Sequence, residues 1–153
     1  MPAPDLFDDA RFTAMGLLLE THDGLLARLA PSLGGMSPLD FDVLVRLSRS
    51  PGRRLRLSDL AAQTSLSTSG VTRVVDRLQR RGEVRREARV DDRRSTYAVL
   101  TAEGVDLLER ILPGHLEAIE HWFTSRLTTE QLDALNSALR IVRDAVHPDA
   151  AAH

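Results

Sequence analysis

Apolar residues return every three or four positions near the start of the chain, which predicts a long first helix over residues 6–29. The segment PSLGG then interrupts the pattern. The segment SPLD follows and predicts a helix start, with Ser37 as N-cap, Pro38 at the first helical position and Asp40 reaching back to complete a capping box. This second helix is expected to end at SRSPG.

Shorter elements are predicted in the middle of the chain. The alternating segment RRLRL predicts a minimal strand, and Ser58 is expected to cap a short helix over residues 59–64. Ser67 is a second capping serine, and the helix that it opens is expected to end at Gly82 in the left-handed conformation. This helix has one clean apolar face, formed by Val71, Val74, Val75 and Leu78.

A β-hairpin is predicted next, with strands over residues 84–90 and 95–100 and the charged segment 91–94 at its tip. The expected fold class is therefore mainly α with a small β-hairpin wing (α+β). Two helices around a tight turn, followed by a hairpin, are the order of a winged helix-turn-helix. In that unit the helix after the turn enters the DNA major groove and the hairpin flanks it.

Two further helices complete the chain. Thr101 opens the first of them, in which Pro113 removes a backbone donor and predicts a kink or break over residues 109–113. Thr128 and Gln131 form a capping box that starts the last amphipathic helix. The final segment, HPDAAAH, is expected to fray.

Charge is unevenly distributed along the chain, although the formal net charge is only −2. All 20 basic residues are arginine. Residues 37–101 contain 14 arginines and 8 acidic residues, whereas the rest of the chain contains 6 arginines and 14 acidic residues. A basic block between acidic arms is typical of a protein that binds a polyanion, with chance clustering as the alternative.

Several function classes are disfavoured by what the sequence lacks. There is no cysteine, so disulfides, thiolate metal sites and cysteine nucleophiles are excluded. No apolar run approaches about 18 residues and no secretion signal is recognisable, so we expect no membrane association and a cytoplasmic location. No Gly-rich phosphate loop, nucleophile elbow or HExxH motif occurs, so neither an enzyme nor a cofactor is predicted. Glu117 and His121 are four residues apart on one helical face, but two ligands are too few to predict a metal site.

The outward face of the helix after Ser67 carries the candidate DNA contacts. Its hydroxyl groups can bind phosphates or base edges, and an arginine fork can bind guanine or a phosphate. The helix N-terminus also favours phosphate. The predicted DNA-binding residues here are Ser67, Thr68, Ser69, Thr72, Arg73 and Arg77, with an ordinary solvated polar face as the alternative.

The hairpin tip supplies a second set of candidates. Arg93 and Arg94 can lie along the minor groove, where the negative potential is strongest over narrow A·T-rich segments. The neighbouring acids, Asp91 and Asp92, would repel phosphate. One of them can instead hold an arginine fork in place before the tip meets DNA.

The segment VDDRRSTYAVLT resembles the wing signature of the MarR family of transcriptional regulators, in which Asp, any residue and Arg precede Leu-Thr by five residues. Asp92, Arg94, Leu100 and Thr101 match it. The segment STSGVTRVVDRLQRRGEVRR is similar to the family's recognition helix running into the wing. The resemblance covers essentially the whole chain. It implies that Arg94 enters the minor groove and that Asp92 orients it.

The same resemblance implies a homodimer on double-stranded DNA, usually a repressor on a pseudo-palindromic operator. We expect a single domain over residues 1–153, with a DNA-binding lobe over residues 37–101 and a dimerisation arm over residues 5–30 and 101–147. Independently, the terminal helices are apolar on more than one side, and a small winged unit cannot bury that much surface without a twofold partner.

Members of the family often release DNA when a small aromatic or anionic effector binds between the arm and the lobe. The candidate lining residues are Met15, Leu19, His22 and Phe41, although Met15 and Phe41 suit the core equally. A constitutive regulator or an architectural DNA-binding protein is the alternative. The acidic arms disfavour an architectural role, which requires basic wrapping surfaces.

Overall fold

The computed structural model describes residues 8–88 and 95–151. It confirms a mainly helical fold with a small antiparallel sheet, in the predicted order of elements. The elements are α1 (Ala10–Leu29), α2 (Pro38–Arg49), β1 (Arg54–Arg56), α3 (Leu57–Thr64), α4 (Thr68–Arg80), β2 (Val84–Ala88), β3 (Thr96–Leu100), α5 (Ala102–Trp122) and α6 (Thr129–Val146). Within the described ranges, no helix is long and apolar enough to span a membrane.

The sheet has the strand order β1-β3-β2, with β3 paired antiparallel to both neighbours. Val99 of β3 faces Arg54 on one side and Arg85 on the other. The described part of the hairpin agrees with the prediction, whereas the last two positions of its first predicted strand and the whole tip lie outside the described residues. Because β1 precedes α3, its pairing joins the helix-turn-helix to the wing.

The core lies between α2, α3, α4, the sheet and the start of α5. The predicted apolar face of α4 is confirmed, since Val71 and Val75 are fully buried and pack in one cluster with the other two members. Leu44, Leu60 and Leu78 are also fully buried there. By contrast, α1 and α6 contain no buried residue. A single chain therefore encloses the core of the lobe but leaves the terminal helices open.

Four predicted N-caps are confirmed. Ser37 Oγ accepts a hydrogen bond from the Asp40 amide at 3.1 Å, and Ser67 and Thr101 cap α4 and α5 in the same way. Thr128 forms the full capping box with Gln131. A side-chain acceptor satisfies amides that the first helical turn leaves without a partner.

Two of the predicted caps are wrong. α3 begins at Leu57 after Arg56, with no side-chain cap, so Ser58 lies inside the helix. The reason is that Arg56 is still paired with Tyr97 in the sheet, and the chain turns directly from strand to helix. Asp40 does not reach back to Ser37, because its carboxylate binds arginines of α4.

The terminal helices α1, α5 and α6 also differ from the predictions. α1 begins at Ala10 rather than at position 6, because the Asp9 carboxylate accepts the Arg11 amide at 2.8 Å and caps the helix. A kink or break was predicted over residues 109–113, and α5 continues through Pro113 without a break. The chain after α6 is not frayed up to Ala151: it forms a 3-10 turn, and His147 Nε2 lies 2.9 Å from the Ala62 carbonyl oxygen of α3.

Candidate nucleic-acid interface

A polar ridge runs along the solvent side of α4, beginning at its N-terminus. Ser67 Oγ caps the helix through the Gly70 amide and lies 3.1 Å from Ser69 Oγ. Thr68 and Ser69 are exposed. Thr72 is half-buried, and its hydroxyl donates to the Thr68 carbonyl oxygen at 2.9 Å. The hydroxyl groups therefore lie at the positive end of the helix dipole, where a phosphate is favoured.

Arg73 is an exposed cation on this ridge. It makes no hydrogen bond or ion pair with any residue in the ranges 8–88 and 95–151. It lies one turn after Ser69 and on the side opposite the buried valines of α4. Its guanidinium can therefore reach a base edge or a phosphate without first breaking an internal bond.

Arg77 is placed differently from Arg73, on the flank of α4 that faces α2. Its Nε donates to Asp40 Oδ2 at 2.9 Å, and its Nη2 makes a further short contact with the same carboxylate. Arg81 Nη2 donates to Asp40 Oδ2 at 3.0 Å and also pairs with Glu83. Asp40 is only 1% exposed. A buried carboxylate thus holds two arginines at the end of the helix.

The opposite flank of α4 is held by the wing. Arg86 of β2 makes an ion pair with Asp76 at 2.6 Å and donates to Gln79 Oε1 at 2.9 Å. Sequence reasoning did not single out Arg86, although the strand alternation offered a signal. Arg86 lies on the same side of β2 as buried Val84, where a cation needs a partner.

The rest of the wing carries further arginines at its base. Arg54 lies over the ring of Tyr97, with 5.1 Å between its Cζ and the ring centroid, and Arg56 Nε donates to the Tyr97 hydroxyl at 3.1 Å. Arg85 pairs with Glu87. The predicted tip residues, Arg93 and Arg94, and the predicted orienting residue, Asp92, lie outside the described residues.

The four predicted effector-binding residues are not brought together within one chain. Met15, Leu19 and His22 are exposed on α1, and His22 Nδ1 lies 3.0 Å from Asp23 Oδ1. Phe41 packs against the core and contacts the ring of His115 edge-on, at 4.8 Å between centroids. Sequence reasoning did not select His115 for this region.

His115 is part of a small polar cluster between α5 and the segment after α1. Its Nδ1 lies 2.7 Å from Ser32 Oγ, and Ser32 in turn donates to the Leu29 carbonyl oxygen. Burial lowers the pKa of His115, so the neutral ring is favoured. In the described part of the chain, no three His, Asp or Glu side chains are grouped so that they could hold a metal ion, and Glu117 and His121 acquire no third ligand.

The free energy of unfolding is expected to depend on the ionisation of Asp40 when the pH is below about 4. Its burial acts to raise its pKa, but the hydrogen bonds and charges of Arg77 and Arg81 outweigh burial, so the pKa lies below its ordinary value. A carboxyl whose pKa is lower in the folded state stabilises the fold above its unfolded pKa, and this contribution is lost as the pH falls through the folded pKa. Asp40→Asn should therefore lower the free energy of unfolding by about 2 kcal/mol at pH 7, less than for a fully buried pair because both arginines are part-exposed.

Urea unfolding of both proteins over a pH series measures this effect. The difference between wild type and Asp40→Asn should shrink as the pH falls from about 4 towards 2, because protonated Asp40 then resembles Asn. Asp42→Asn is the matched control, since Asp42 pairs with Arg46 on the same helix but is part-exposed. A difference that stays constant down to the lowest pH would contradict an ionic role for Asp40.

The chain is similar to a known protein family and to several curated transcriptional regulators. A family model described as MarR family matches residues 34–95. The chain is 36% identical over 98 residues to YkoM, an uncharacterized HTH-type transcriptional regulator of Bacillus subtilis, covering 63% of this chain and 62% of YkoM. It is 31% identical over 108 residues to the HTH-type transcriptional regulator MhqR of Bacillus subtilis, covering 71% of this chain and 72% of MhqR. The chain thus spans less than two thirds of YkoM.

Among solved structures, the chain is similar to Sco3205, a MarR family transcriptional regulator from Streptomyces coelicolor whose crystal structure is in complex with DNA. The two share 34% sequence identity and a TM-score of 0.83. The comparison covers 90% of this chain and 92% of Sco3205. The likeness extends beyond the lobe to the terminal helices, because residues 34–95 alone are a much smaller share of the chain.

Proposed function

The chain belongs to the MarR family, and from this membership we propose that it is a sequence-specific DNA-binding transcriptional regulator. It acts as a homodimer on a pseudo-palindromic operator, as a repressor that responds to a small effector. The residues 37–101 form the DNA-binding lobe, and the segments 5–30 and 101–147 form the dimerisation arm. The alternative is a constitutive regulator or an architectural DNA-binding protein.

The observation that carries this proposal is the polar ridge of α4. The ridge is exposed, begins at a capped helix N-terminus and contains an arginine, Arg73, without an internal partner among the described residues. Sco3205 was crystallised with DNA, which supports DNA binding by this chain. In the proposed complex, the hydroxyls and Arg73 meet the major groove, Arg77 meets the phosphate backbone, and the tip arginines Arg93 and Arg94 follow the minor groove with Asp92 orienting Arg94.

Fluorescence anisotropy on DNA from upstream of the protein's own gene tests the proposal. A scrambled duplex of the same composition serves as the control, at about 150 mM salt, because affinity for DNA depends steeply on salt. Tight binding of two chains per duplex, with weak binding to the scrambled DNA, is the expected result. If a selection from random DNA also yields no preferred sequence, sequence-specific regulation is excluded.

The homodimer is supported by the distribution of exposed apolar surface. Among the described residues, every large apolar side chain in the exposed class lies on α1, α5 or α6. Phe12 is 68% exposed, Ile141 is 73% exposed and Val146 is 75% exposed. Large exposed apolar side chains concentrated on a few helices mark an interface, and a twofold partner would cover the same face on both chains.

Ile141→Asp is expected to convert the dimer to a monomer, because it places a charge within the apolar face of α6. Light scattering coupled to size-exclusion chromatography measures the molar mass. Ala88→Asp is the control, since it introduces the same charge at an exposed position of β2. A wild-type mass equal to that of one chain would contradict the dimer directly.

The effector site is proposed between the arm and the lobe, lined by Met15, Leu19 and His22 of α1 and by Phe41 of α2. The partly buried, edge-on ring pair of Phe41 and His115 supports an aromatic ligand, because a further ring can pack favourably against such a pair in an edge-to-face or offset arrangement. Titration of the DNA complex with small aromatic acids separates the alternatives. Release of DNA indicates a sensor, whereas unchanged binding indicates a constitutive regulator.

A further inference from the structure

We infer that Asp40 is a positioning residue for DNA binding, which holds Arg77 and Arg81 ready to grip the phosphate backbone beside the recognition helix. The inference rests on the proposed DNA-binding function. It gives Asp40, which lies on α2, the role of ordering the two arginines before they contact phosphates. A carboxylate repels the phosphates of DNA, so an acid beside the recognition helix is unfavourable for binding unless it has another role. Asp40 is buried and binds Arg77 and Arg81, which indicates that its role is to hold these two side chains.

The geometry makes Asp40 a clamp for two side chains at once. Its side chain is 2% exposed, whereas the side chains of Arg77 and Arg81 are 41% and 38% exposed. Both arginines use Nη2 for Asp40, and Arg77 adds Nε. Nη1 of Arg77 is left without a bond to any residue in the described ranges. Asp40 thus holds both guanidinium groups, with Glu83 as a second partner of Arg81, while both side chains stay part-exposed.

The positions of the two arginines suit phosphate rather than base contacts. Arg77 lies near the end of α4, and Arg81 is the C-cap residue one turn later. Both bind Asp40 of α2, so their side chains turn towards the flank of the helix that faces α2. Arg81 is also tied to Glu83, at the turn that leads into the wing. A row on the flank of a helix in the major groove faces the sugar-phosphate backbone, which sets the register of the helix.

Because these arginines are ordered before DNA binds, the affinity for DNA should be measurably higher. A free arginine loses side-chain freedom when it binds a phosphate, which weakens binding. Asp40 removes this loss for Arg77 and shares that role with Glu83 for Arg81, because both side chains are already ordered in the unbound protein. A specific complex has one docking geometry and depends on this order, whereas a non-specific complex is held by diffuse charge and does not.

The test compares specific and non-specific affinity in Asp40→Asn. The probe is the tightest duplex that the wild-type protein selects from random DNA, and its scrambled version measures non-specific binding. Asp40→Asn should weaken binding to the selected duplex about tenfold. Binding to the scrambled duplex should stay the same or become tighter, because one negative charge is lost. The ratio of the two affinities should therefore fall.

Two further variants keep the test decisive. Asp42→Asn removes a part-exposed acid that pairs with Arg46 on the same helix, and it should leave the ratio of the two affinities unchanged. Asp40→Glu retains the charge but displaces the carboxylate by one methylene, and it should also lower the ratio. Circular dichroism first establishes that each variant is folded; if Asp40→Asn is unfolded, Asp40→Glu decides.

The outcomes separate this inference from the proposed function. A folded Asp40 variant whose ratio of specific to non-specific affinity equals that of the wild type would show that Asp40 stabilises the fold without positioning the arginines. A wild-type protein that selects no preferred sequence would overturn the proposed function and this inference with it. A fall in the ratio confined to the Asp40 variants supports the positioning role.

Discussion

Replacing Gly104 by alanine is expected to lower the free energy of unfolding by about 3 kcal/mol. A Cβ at this position would lie 2.3 Å from the carbonyl oxygen of Glu83 and 2.7 Å from Leu100 Cδ1. Neither neighbour can move freely, because the Glu83 oxygen accepts the Thr101 amide at 3.1 Å and Leu100 is buried in the core. Urea unfolding of the alanine variant measures the loss.

The position of Gly104 explains why the effect should be large. α5 starts against the turn between α4 and the wing, where the Thr101 hydroxyl donates to the Gly82 carbonyl oxygen at 2.6 Å while accepting the Gly104 amide. A side chain at Gly104 would push the start of α5 away from this turn. The arm and the wing would then separate at the point where they meet.

Gly114 provides the matched control within the same helix. A Cβ there meets nothing within 4 Å, so Gly114→Ala should stabilise the protein by up to about 1 kcal/mol through helix propensity alone. Opposite signs for the two glycines would identify close approach as the cause of the loss at Gly104. A loss of similar size at both positions would instead point to a general intolerance of α5 to alanine.

The parts of the fold that sequence predicted well are those that local patterns determine. The apolar face of α4 follows from the spacing of four residues, and it is buried as expected. The caps at Ser37, Ser67, Thr101 and Thr128 need only a hydroxyl three residues before a free amide. Periodicity and capping act within one or two turns, so the chain itself contains the necessary information.

The errors arose where distant segments compete for the same group. Asp40 was expected to cap its own helix, but it binds Arg77, which is 37 positions away in sequence. Ser58 was displaced as a cap because the pairing of β1 with β3 determines where the chain turns into α3. The segment after α6 was expected to fray, but His147 binds the end of α3. None of these partners can be identified from local spacing.

In the candidate site, too, local patterns predicted some features correctly, whereas contacts between distant segments could not be predicted. The exposed residues of the ridge could be selected from helical periodicity alone, and the structure places Thr68, Ser69 and Arg73 in solvent. The internal partner of Arg77 could not be selected in this way. The roles of the tip residues Asp92 and Arg94 stay predictions, since those residues lie outside the described ranges.

Arg73→Ala is expected to weaken binding to the selected operator duplex by about tenfold to a hundredfold, which corresponds to one arginine contact with a base edge. Because Arg73 is exposed and has no partner within the described residues, its removal should change neither the fold nor the oligomeric state of the protein. Fluorescence anisotropy at fixed salt measures the affinity. Arg110→Ala is the matched control, since Arg110 is an exposed arginine on α5, outside the lobe.

The pattern of the loss identifies what Arg73 contacts. If Arg73 binds a base, the variant should lose its preference at one position of the duplex and keep its preference elsewhere. If it binds a phosphate, affinity should fall uniformly across sequences, and the slope of log affinity against log salt should decrease by about 1. Unchanged affinity for every duplex would remove Arg73 from the interface. The specific contacts would then have to come from the hydroxyl groups at the start of α4, which have no charge and would give binding less dependent on salt.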